Sequence, residues 1–280
     1  MSHSDLNGIR VISQNVNSLN LSTRLQLVDN LNRFDQKIES ILSKNADIIL
    51  LQDTRLGPDG HNILKKRLEF SKYGSFSLFS NSTKTCRGVA VIIKETLPYK
   101  LVQSVSCPLE NYLLLKISVR DSIFIIGSVY SPMLSQDTFF MANLEQDILN
   151  FGIDKFLIGG DLNMVSDARK ICSINNFNLD IKNMAQIPNV SNSITLASWC
   201  EKGFVTNIFR HFYQDRRIFS HVPFNKNDYS RSRVDHFLCS TDFINSFSNL
   251  TYLAIDSKLF DHKCVLLETI KKIKQKPLLH

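Results

Sequence analysis

The stretch FLIGGDLNMVSD, residues 156–167, indicates most directly how this chain is built. Phe156–Ile158 read as an apolar strand that ends in two glycines, followed by Asp161 and then Asn163. Glycines at a strand end allow backbone or a ligand to approach closely. If the chain stays extended there, the side chains of Asp161 and Asn163 point to the same side. An acid and an amide at a sheet edge suit phosphate chemistry, and the alternative is an ordinary strand end with an Asx turn.

Composition indicates a folded protein with polyanionic partners. Apolar residues make up 43% and charged residues 21% of the 280 residues, which is typical of a globular chain. The net charge of +7 favours nucleic acid or an acidic surface as a partner. The six cysteines have no zinc-knuckle or redox spacing, so free thiols in a reducing compartment are expected. Because the N-terminus is polar and no apolar run is long enough for a span, we expect a soluble cytosolic or nuclear protein that is not secreted and has no membrane partner, or a soluble piece of a larger protein.

The order of apolar runs predicts about ten strands interrupted by a few helices. Because no long series of alternating strands and helices exists, a two-sheet sandwich with helices outside fits better than a doubly wound parallel sheet. No domain boundary is evident before about residue 270, so we predict one domain over 1–270 and a basic linker over 271–280. The predicted helices are 23–43, 136–150, one through Lys202 capped by Ser193, and 242–247; the predicted strands are 9–16, 46–53, 75–80, 89–94, 112–119, 123–129, 156–158, 234–240, 250–255 and 263–268, with a surface loop over 171–192.

Polar side chains stand at the ends of these strands. Each one alone is more typical of a turn, but together they supply four carboxylates, two amides, a phenol and an imidazole. Such a set fits a hard divalent cation held by oxygen, with a histidine acting on a phosphate or a water. Glycine-rich nucleotide loops and the G-x-S-x-G and H-E-x-x-H motifs are absent. The set comprises Asn15, Asp53, Tyr130, Asp161, Asn163, Asp235, Asp261 and His262.

Six motifs in order carry a family resemblance: QNVNSL, ILLQDTR, GSVYSP, GGDLNMV, SRVDHFL and FDHKCV. Together they resemble the deoxyribonuclease-I-like endonuclease/exonuclease/phosphatase superfamily over residues 9–268. Within it the sequence is most similar to the apurinic-type endonuclease domains of non-LTR, LINE-type retrotransposon proteins. The resemblance implies an α+β fold, a four-layer α/β sandwich of two packed mixed β-sheets flanked by helices.

The resemblance also implies an activity. A Mg²⁺-dependent endonuclease, in which Mn²⁺ can substitute, would nick one strand of double-stranded DNA. The nick would leave a 3′-hydroxyl that primes reverse transcription, with a reverse transcriptase downstream in the same polypeptide. Two alternatives stay open: a phosphatase of the same fold that acts on small phosphate esters, and a catalytically weakened DNA-binding module.

Residue by residue, the resemblance implies distinct roles at the site. Asn15, Asp53 and Asp261 would hold the metal. Tyr130 would contact the scissile phosphate, Asn163 would orient it, and Asp161 would move a proton. Asp235 would support His262, which would stabilise the charged phosphate. These implied roles belong to the residues Asn15, Asp53, Asp261, Tyr130, Asn163, Asp161, Asp235 and His262.

Three positions depart from the family pattern. Asp53 stands where the family usually has glutamate, which shortens the reach toward Mg²⁺ by one methylene and predicts weakened metal binding. Phe260 replaces the serine of the S-D-H motif. Arg217 stands where some relatives carry a hydroxyl residue before F-F-S.

Basic side chains should bind DNA phosphates in a salt-dependent manner. The resemblance implies that the segment 221–233, between two strands, is a hairpin that enters a DNA groove, where arginines and aromatic wedges are suited to bind; the alternative is a surface hairpin without that role. The predicted DNA contacts are Arg55, Lys84, Arg87, Arg210, Arg216, Arg217, Phe224, Tyr229, Arg231 and Arg233.

Overall fold

A computed structural model describes residues 8–19, 27–77, 87–120, 122–131, 139–165, 179–182, 189–223, 230–254 and 258–270. The helices are α1 (Leu27–Leu42), α2 (Pro58–Phe70), α3 (Phe140–Asn150), α4 (Val190–Glu201) and α5 (Ile208–Phe212), with a 3₁₀ helix at Thr241–Ser246. The strands are β1 (Arg10–Asn15), β2 (Ile48–Gln52), β3 (Tyr73–Ser77), β4 (Val89–Lys94), β5 (Tyr99–Ser106), β6 (Tyr112–Val119), β7 (Ser122–Tyr130), β8 (Phe156–Asp161), β9 (Ile181–Lys182), β10 (Thr206–Asn207), β11 (Arg231–Ser232), β12 (Asp235–Cys239), β13 (Phe247–Tyr252) and β14 (Val265–Thr269).

Two six-stranded sheets form the body of the structure. The first sheet has the order β13-β14-β1-β2-β4-β3, and the second has the order β10-β12-β8-β7-β6-β5. In each sheet one central pair is parallel, β1 with β2 and β7 with β8, and the remaining pairs are antiparallel. Both sheets are therefore mixed. A small ladder of β9 with β11 stands apart from them.

The alternating direction of side chains along the strands explains why the fold has four layers. In β2, Ile48 and Leu50 pack into the core between the two sheets, whereas Ile49 and Leu51 pack with residues of α1 and α2. Successive strand residues point to opposite faces, so an all-aliphatic strand such as this one must be covered on both sides. The outer face of the second sheet packs in the same way against α3 and α4. The predicted α+β sandwich, with two mixed sheets flanked by helices, is confirmed.

The two glycines of β8 are required by packing within the protein. A Cβ on Gly160 would lie 1.8 Å from the carbonyl oxygen of Val129 on β7, and one on Gly159 would lie 2.5 Å from the ring of Phe237 on β12. Glycine here lets the strands on either side come close, which brings the ends of β7, β8 and β12 together.

Several predicted boundaries were wrong for identifiable reasons. β5 was missed because it is an edge strand with a largely exposed, polar face. Ser193 was predicted to cap a helix but lies inside α4; Asn189 is the cap, and the Ser193 hydroxyl instead accepts a hydrogen bond from the Val165 amide at 3.2 Å. The predicted helix at 242–247 is a 3₁₀ helix, and the strand predicted at 250–255 begins earlier, at Phe247.

Some predictions lie on residues that the structure does not describe. They are the tail 271–280, Lys84, Phe224, Tyr229 and most of the predicted loop 171–192. Among the described helices, none combines the length and the apolar character that crossing a bilayer requires.

Candidate active site

Strand ends from both sheets meet at one polar pocket, here called the seam pocket, with a volume of about 220 Å³. It brings together most of the side chains predicted to form the site, and Asp235 lies beneath it in contact with His262. Asn17 and His221 also line it, although sequence reasoning had not given either of them a role in the site. The described residues that line the seam pocket are Asn15, Asn17, Asp53, Arg55, Tyr130, Asp161, Asn163, His221, Ser232, Val234, Asp261 and His262.

Three of these groups stand in a row across the second sheet. Tyr130 at the end of β7 is in register with Asp161 at the end of β8, and Asp161 is in register with Asp235 at the start of β12. Residues directly opposed on neighbouring strands project their side chains to the same face. The register therefore aligns a phenol and two carboxylates along one edge.

His262 comes from the first sheet, just before β14, and reaches this row. Its Nδ1 lies 2.8 Å from Asp235 Oδ2, and its Nε2 lies 3.9 Å from Asp161 Oδ2. Asp235 is itself held by Ser220, whose hydroxyl accepts from the Asp235 amide at 3.1 Å. The imidazole is thus oriented by Asp235, with its other nitrogen toward Asp161.

Asp161 is held from two sides. Its Oδ1 accepts from the Asn163 amide at 2.9 Å, and its Oδ2 accepts from Asn15 Nδ2 at 2.8 Å. Asn163 has a left-handed φ of 45°, and its side-chain amide donates to the Ser131 carbonyl at 2.8 Å. The chain is therefore not extended at Asn163. The Asx turn and the site were posed as alternatives, but both are present, because the turn is what places Asn163 beside the pocket.

The electrostatics of this cluster set the protonation of its members. Burial raises the pKa of Asp161 to about 7; nearby Asp235 adds to the rise, whereas His262 opposes it. Burial alone would lower the pKa of His262, but the carboxylates of Asp235, Asp161 and Asp261 raise it to about 10. His262 in turn lowers the pKa of Asp235 against the effect of burial. The buried carboxylates around His262 therefore favour its imidazolium form.

A second group of oxygens lies on the side of the first sheet. Arg55 donates to both carboxylate oxygens of Asp53, from Nε at 3.0 Å and from Nη2 at 2.6 Å. The Arg87 amide adds a third bond to Asp53 Oδ1 at 2.9 Å, and Arg55 Nη2 also reaches Asn17 Oδ1 at 3.2 Å. Asn17 Nδ2 donates to Asp261 Oδ2 at 2.8 Å. A guanidinium thus already neutralises Asp53.

This oxygen set suits a divalent cation. Asp53, Asn15, Asn17 and Asp261 offer the carboxylate and amide oxygens that Mg²⁺ prefers. Within the described part of the chain, Oδ1 of Asp261 is buried and has no hydrogen-bond partner, as expected of an atom that would ligate a cation. The donor set therefore fits the metal that the sequence implies, on the condition that Arg55 releases one carboxylate oxygen of Asp53 to the cation.

Comparison with known proteins agrees with this geometry. The profile of the Endonuclease/Exonuclease/phosphatase family matches residues 12–253. The chain belongs to this family. A search of curated proteins finds no match.

Solved structures of the family superpose over nearly the whole chain. The AP endonuclease LMAP from Leishmania major has a TM-score of 0.69 at 13% identity, covering 97% of this chain and 91% of that one. The 3′-5′ exonuclease NExo from Neisseria meningitidis has a TM-score of 0.63 at 18% identity, covering 94% and 100%. The endonuclease domain of TRAS1, a telomere-specific non-LTR retrotransposon, has a TM-score of 0.59 at 14% identity, covering 94% and 98%. At these identities the likeness shows a shared fold.

Two of the predicted DNA contacts pair with a buried carboxylate within the protein. Arg233 is fully buried and binds Asp180 through Nε at 2.8 Å and Nη2 at 2.9 Å. Arg210 pairs with the same carboxylate and donates to the carbonyls of Gln214 and Arg216 at 3.1 and 2.9 Å. The charge of Arg233 is therefore out of reach of DNA phosphates, whereas Arg210 is paired but keeps 18% of its side chain exposed. This buried network connects Arg233, just before β12, and the segment 213–217 to Asp180, just before β9.

The other predicted basic contacts lie nearer the surface. Arg217 is exposed, donates to the Ile181 carbonyl at 2.9 Å and lies over the ring of Phe219; Arg216 is also exposed. Arg87 and Arg231 are half-buried. Arg55 lines the seam pocket but is engaged with Asp53. Arg55, Arg87, Arg216, Arg217 and Arg231 stay predictions as DNA contacts.

Phe260 has a structural role that its sequence position did not suggest. Its side chain is 2% exposed and packs in the core between the first sheet and its helices, with the Lys37 ammonium 5.7 Å from the ring. The hydroxyl expected at this position is therefore absent, and Ser220 is a hydroxyl residue that holds Asp235 instead.

The role of Asp235 predicts a change in the pKa of His262. Replacing Asp235 by asparagine (Asp235→Asn) keeps a hydrogen-bond acceptor but removes the nearest charge, so the pKa of His262 is expected to fall by about 1–3 pH units. The imidazole titration followed by NMR measures this.

A stability measurement adds a second readout of the same pair. Because the pKa of His262 is higher in the folded protein than the ordinary 6.5, its stabilisation is complete below pH 6.5 and is lost as the pH rises through about 10. Urea unfolding of Asp235→Asn should show a weaker fall over that range. An unchanged His262 titration in the variant would contradict the geometry.

Proposed function

We propose that this chain is a divalent-metal-dependent DNA endonuclease that nicks one strand and leaves a 3′-hydroxyl able to prime reverse transcription. The observation that carries the proposal is the placement of His262 between Asp235 and Asp161, beside a cluster of oxygen ligands. Double-stranded DNA is the proposed substrate, a downstream reverse transcriptase is the proposed partner, and the nucleus is the proposed location. The TRAS1 retrotransposon domain among the structural matches supports this choice within the family.

Different side chains of the seam pocket would serve different steps of phosphodiester hydrolysis. A scissile phosphate would lie against Tyr130, Asn163 and His262, with the imidazolium facing the charge that develops on the phosphoryl oxygens. Asp161, with a pKa of about 7, can take a proton from water or give one to the leaving oxygen near neutral pH. Asn15 holds Asp161 in place for either role.

The proposed cofactor is Mg²⁺, for which Mn²⁺ can substitute. Asp53, Asn15 and Asp261 are the proposed ligands, joined by Asn17. The cation would supply positive charge at the phosphate and would help to position it. The pairing of Arg55 with Asp53 also favours the second candidate, a DNA-binding module with weak catalysis, because it neutralises the carboxylate that the cation needs.

Plasmid nicking tests the proposed activity. Asp161→Ala and His262→Ala are each expected to lower the rate of nicking of supercoiled plasmid in Mg²⁺ by at least about a hundredfold, because each removes a group that moves a proton or stabilises charge. Circular dichroism checks that the fold is intact. Asp35→Ala and His211→Ala, both outside the seam pocket, should nick at the wild-type rate.

Two outcomes would contradict the endonuclease proposal. Full activity in both site variants would place the chemistry elsewhere. Hydrolysis of small phosphate esters without nicking of plasmid would favour a phosphatase, whereas salt-sensitive DNA binding without any metal-dependent product would favour the binding module.

Arg55 sets the affinity for the cation in this proposal. In Arg55→Gln the guanidinium no longer competes for Asp53, so Mn²⁺ is expected to bind about tenfold more tightly, equivalent to about 1.4 kcal/mol. The electron paramagnetic resonance signal of free Mn²⁺ measures binding without reference to activity. Arg87→Gln is the matched control, because the Arg87 side chain reaches the Leu109 carbonyl and only its backbone amide binds Asp53. Weaker Mn²⁺ binding in Arg55→Gln would mean that Arg55 orders the ligands instead of competing.

A further inference from the structure

Two histidines face each other across a short antiparallel bridge in the seam pocket. His221 and His262 are bridge partners, flanked by hydrogen bonds from the Val222 amide to the Asp261 carbonyl at 2.8 Å and from the Lys263 amide to the Ser220 carbonyl at 2.7 Å. This pattern makes them a non-hydrogen-bonded pair, in which side chains on the same face lie closest. Their ring centroids are 4.7 Å apart.

A carboxylate completes a set of three ligands. One ligand atom each of His221, Asp261 and His262 lies within 4.8 Å of the others. Asp261 is nine-tenths buried, and its Oδ1, which has no hydrogen-bond partner among the described residues, belongs to a side chain that lines the same pocket. A buried carboxylate oxygen without a donor points to a cation as its partner.

The orientation of His262 also suits metal binding. Its Nδ1 is engaged by Asp235 at 2.8 Å, which leaves Nε2 directed into the pocket. A carboxylate on the far nitrogen is the usual support of a metal-bound histidine, because it fixes the ring and raises the basicity of the ligating nitrogen.

We propose that His221, Asp261 and His262 form a binding site for a borderline transition-metal ion such as Zn²⁺, which overlaps the oxygen set around Asp53 at Asp261. Two imidazoles and one carboxylate favour Zn²⁺ over Mg²⁺, which prefers oxygen ligands. Ligands of a tetrahedral zinc lie about 3.4 Å apart, given bonds of about 2.0–2.1 Å. Zinc binding would draw the three ligand atoms, which lie within 4.8 Å of one another, to that spacing.

Occupancy of this site has a functional consequence that rests on the proposed function. Zn²⁺ bound to Nε2 of His262 would prevent this imidazole from contacting the scissile phosphate. It would also bind Asp261, which is one of the proposed Mg²⁺ ligands. Zinc is therefore expected to inhibit Mg²⁺-dependent nicking by competing for these two side chains.

Zinc titration of the whole chain tests the site directly. Metal-free protein is titrated with Zn²⁺ against a chromogenic chelator in a large excess of Mg²⁺. The wild type is expected to bind one zinc per chain at this site, and His221→Ala and His221→Gln to bind it at least about tenfold more weakly. His211→Ala, which removes an exposed histidine outside the pocket, is the matched control and should bind as the wild type does.

The outcomes separate this site from the endonuclease proposal. Zinc binding that is equally tight in the wild type and both His221 variants, or that is absent from the wild type, overturns the site. Because binding is measured without any substrate, tight zinc binding in a chain that does not nick DNA would overturn the endonuclease proposal alone. In a chain that nicks, zinc should inhibit the wild type at concentrations at least about tenfold lower than His221→Ala, each compared with its own zinc-free rate.

Discussion

The hydrogen bond between His262 and Asp235 joins the two sheets at the point where the site is built. His262 precedes β14 of the first sheet, and Asp235 begins β12 of the second. The bond from Asn15 to Asp161 crosses the same seam from β1 to β8. No single sheet holds all of the residues proposed to react, so the geometry of the candidate site depends on how the sheets pack. The core between them, with Leu50, Leu157 and Phe237 among its members, therefore sets the distances at the pocket.

Buried charge at this seam is balanced locally. Removing a carboxylate from water costs several kcal/mol unless it is paired and hydrogen-bonded. Asp235 has His262, Asp53 has Arg55, and Asp180 has Arg233 and Arg210. Lys37 from α1 supports the loop after β1, with its ammonium 2.5, 3.2 and 3.0 Å from the carbonyls of Val16, Asn17 and Ser18. Burial lowers the pKa of Lys37 to about 8. Asn17 and Ser18 both have positive φ, so the lysine holds a loop that would otherwise be unfavourable.

Strand ends were predictable because they combine two local signals, an apolar run and a polar residue that ends it. Tyr130 and Asp161 followed from that pattern, Asp235 followed as a polar residue at the start of an apolar run, and the register of neighbouring strands aligned the three. The pairing of Asp180 with Arg233 spans 53 positions and starts in an Asn-rich stretch without periodicity, so nothing local distinguished Arg233 from a surface arginine. Asn17 and His221 were missed for a related reason. Asn17 acts through contacts to Arg55 and Asp261, and His221 acts through a bridge to His262, which only the folded chain brings together.

The most direct test of phosphodiester hydrolysis at this seam is the chemistry of the DNA ends it produces. Supercoiled plasmid nicked by the full chain in Mg²⁺ is offered to a DNA polymerase without any end repair, and the extended products are sequenced. The proposed function predicts nicks whose 3′ ends are extended at once, because breaking the P–O3′ bond leaves a 3′-hydroxyl and a 5′-phosphate. Nicks that require removal of a 3′-phosphate before extension, or plasmid that stays supercoiled while the protein binds it, would contradict it.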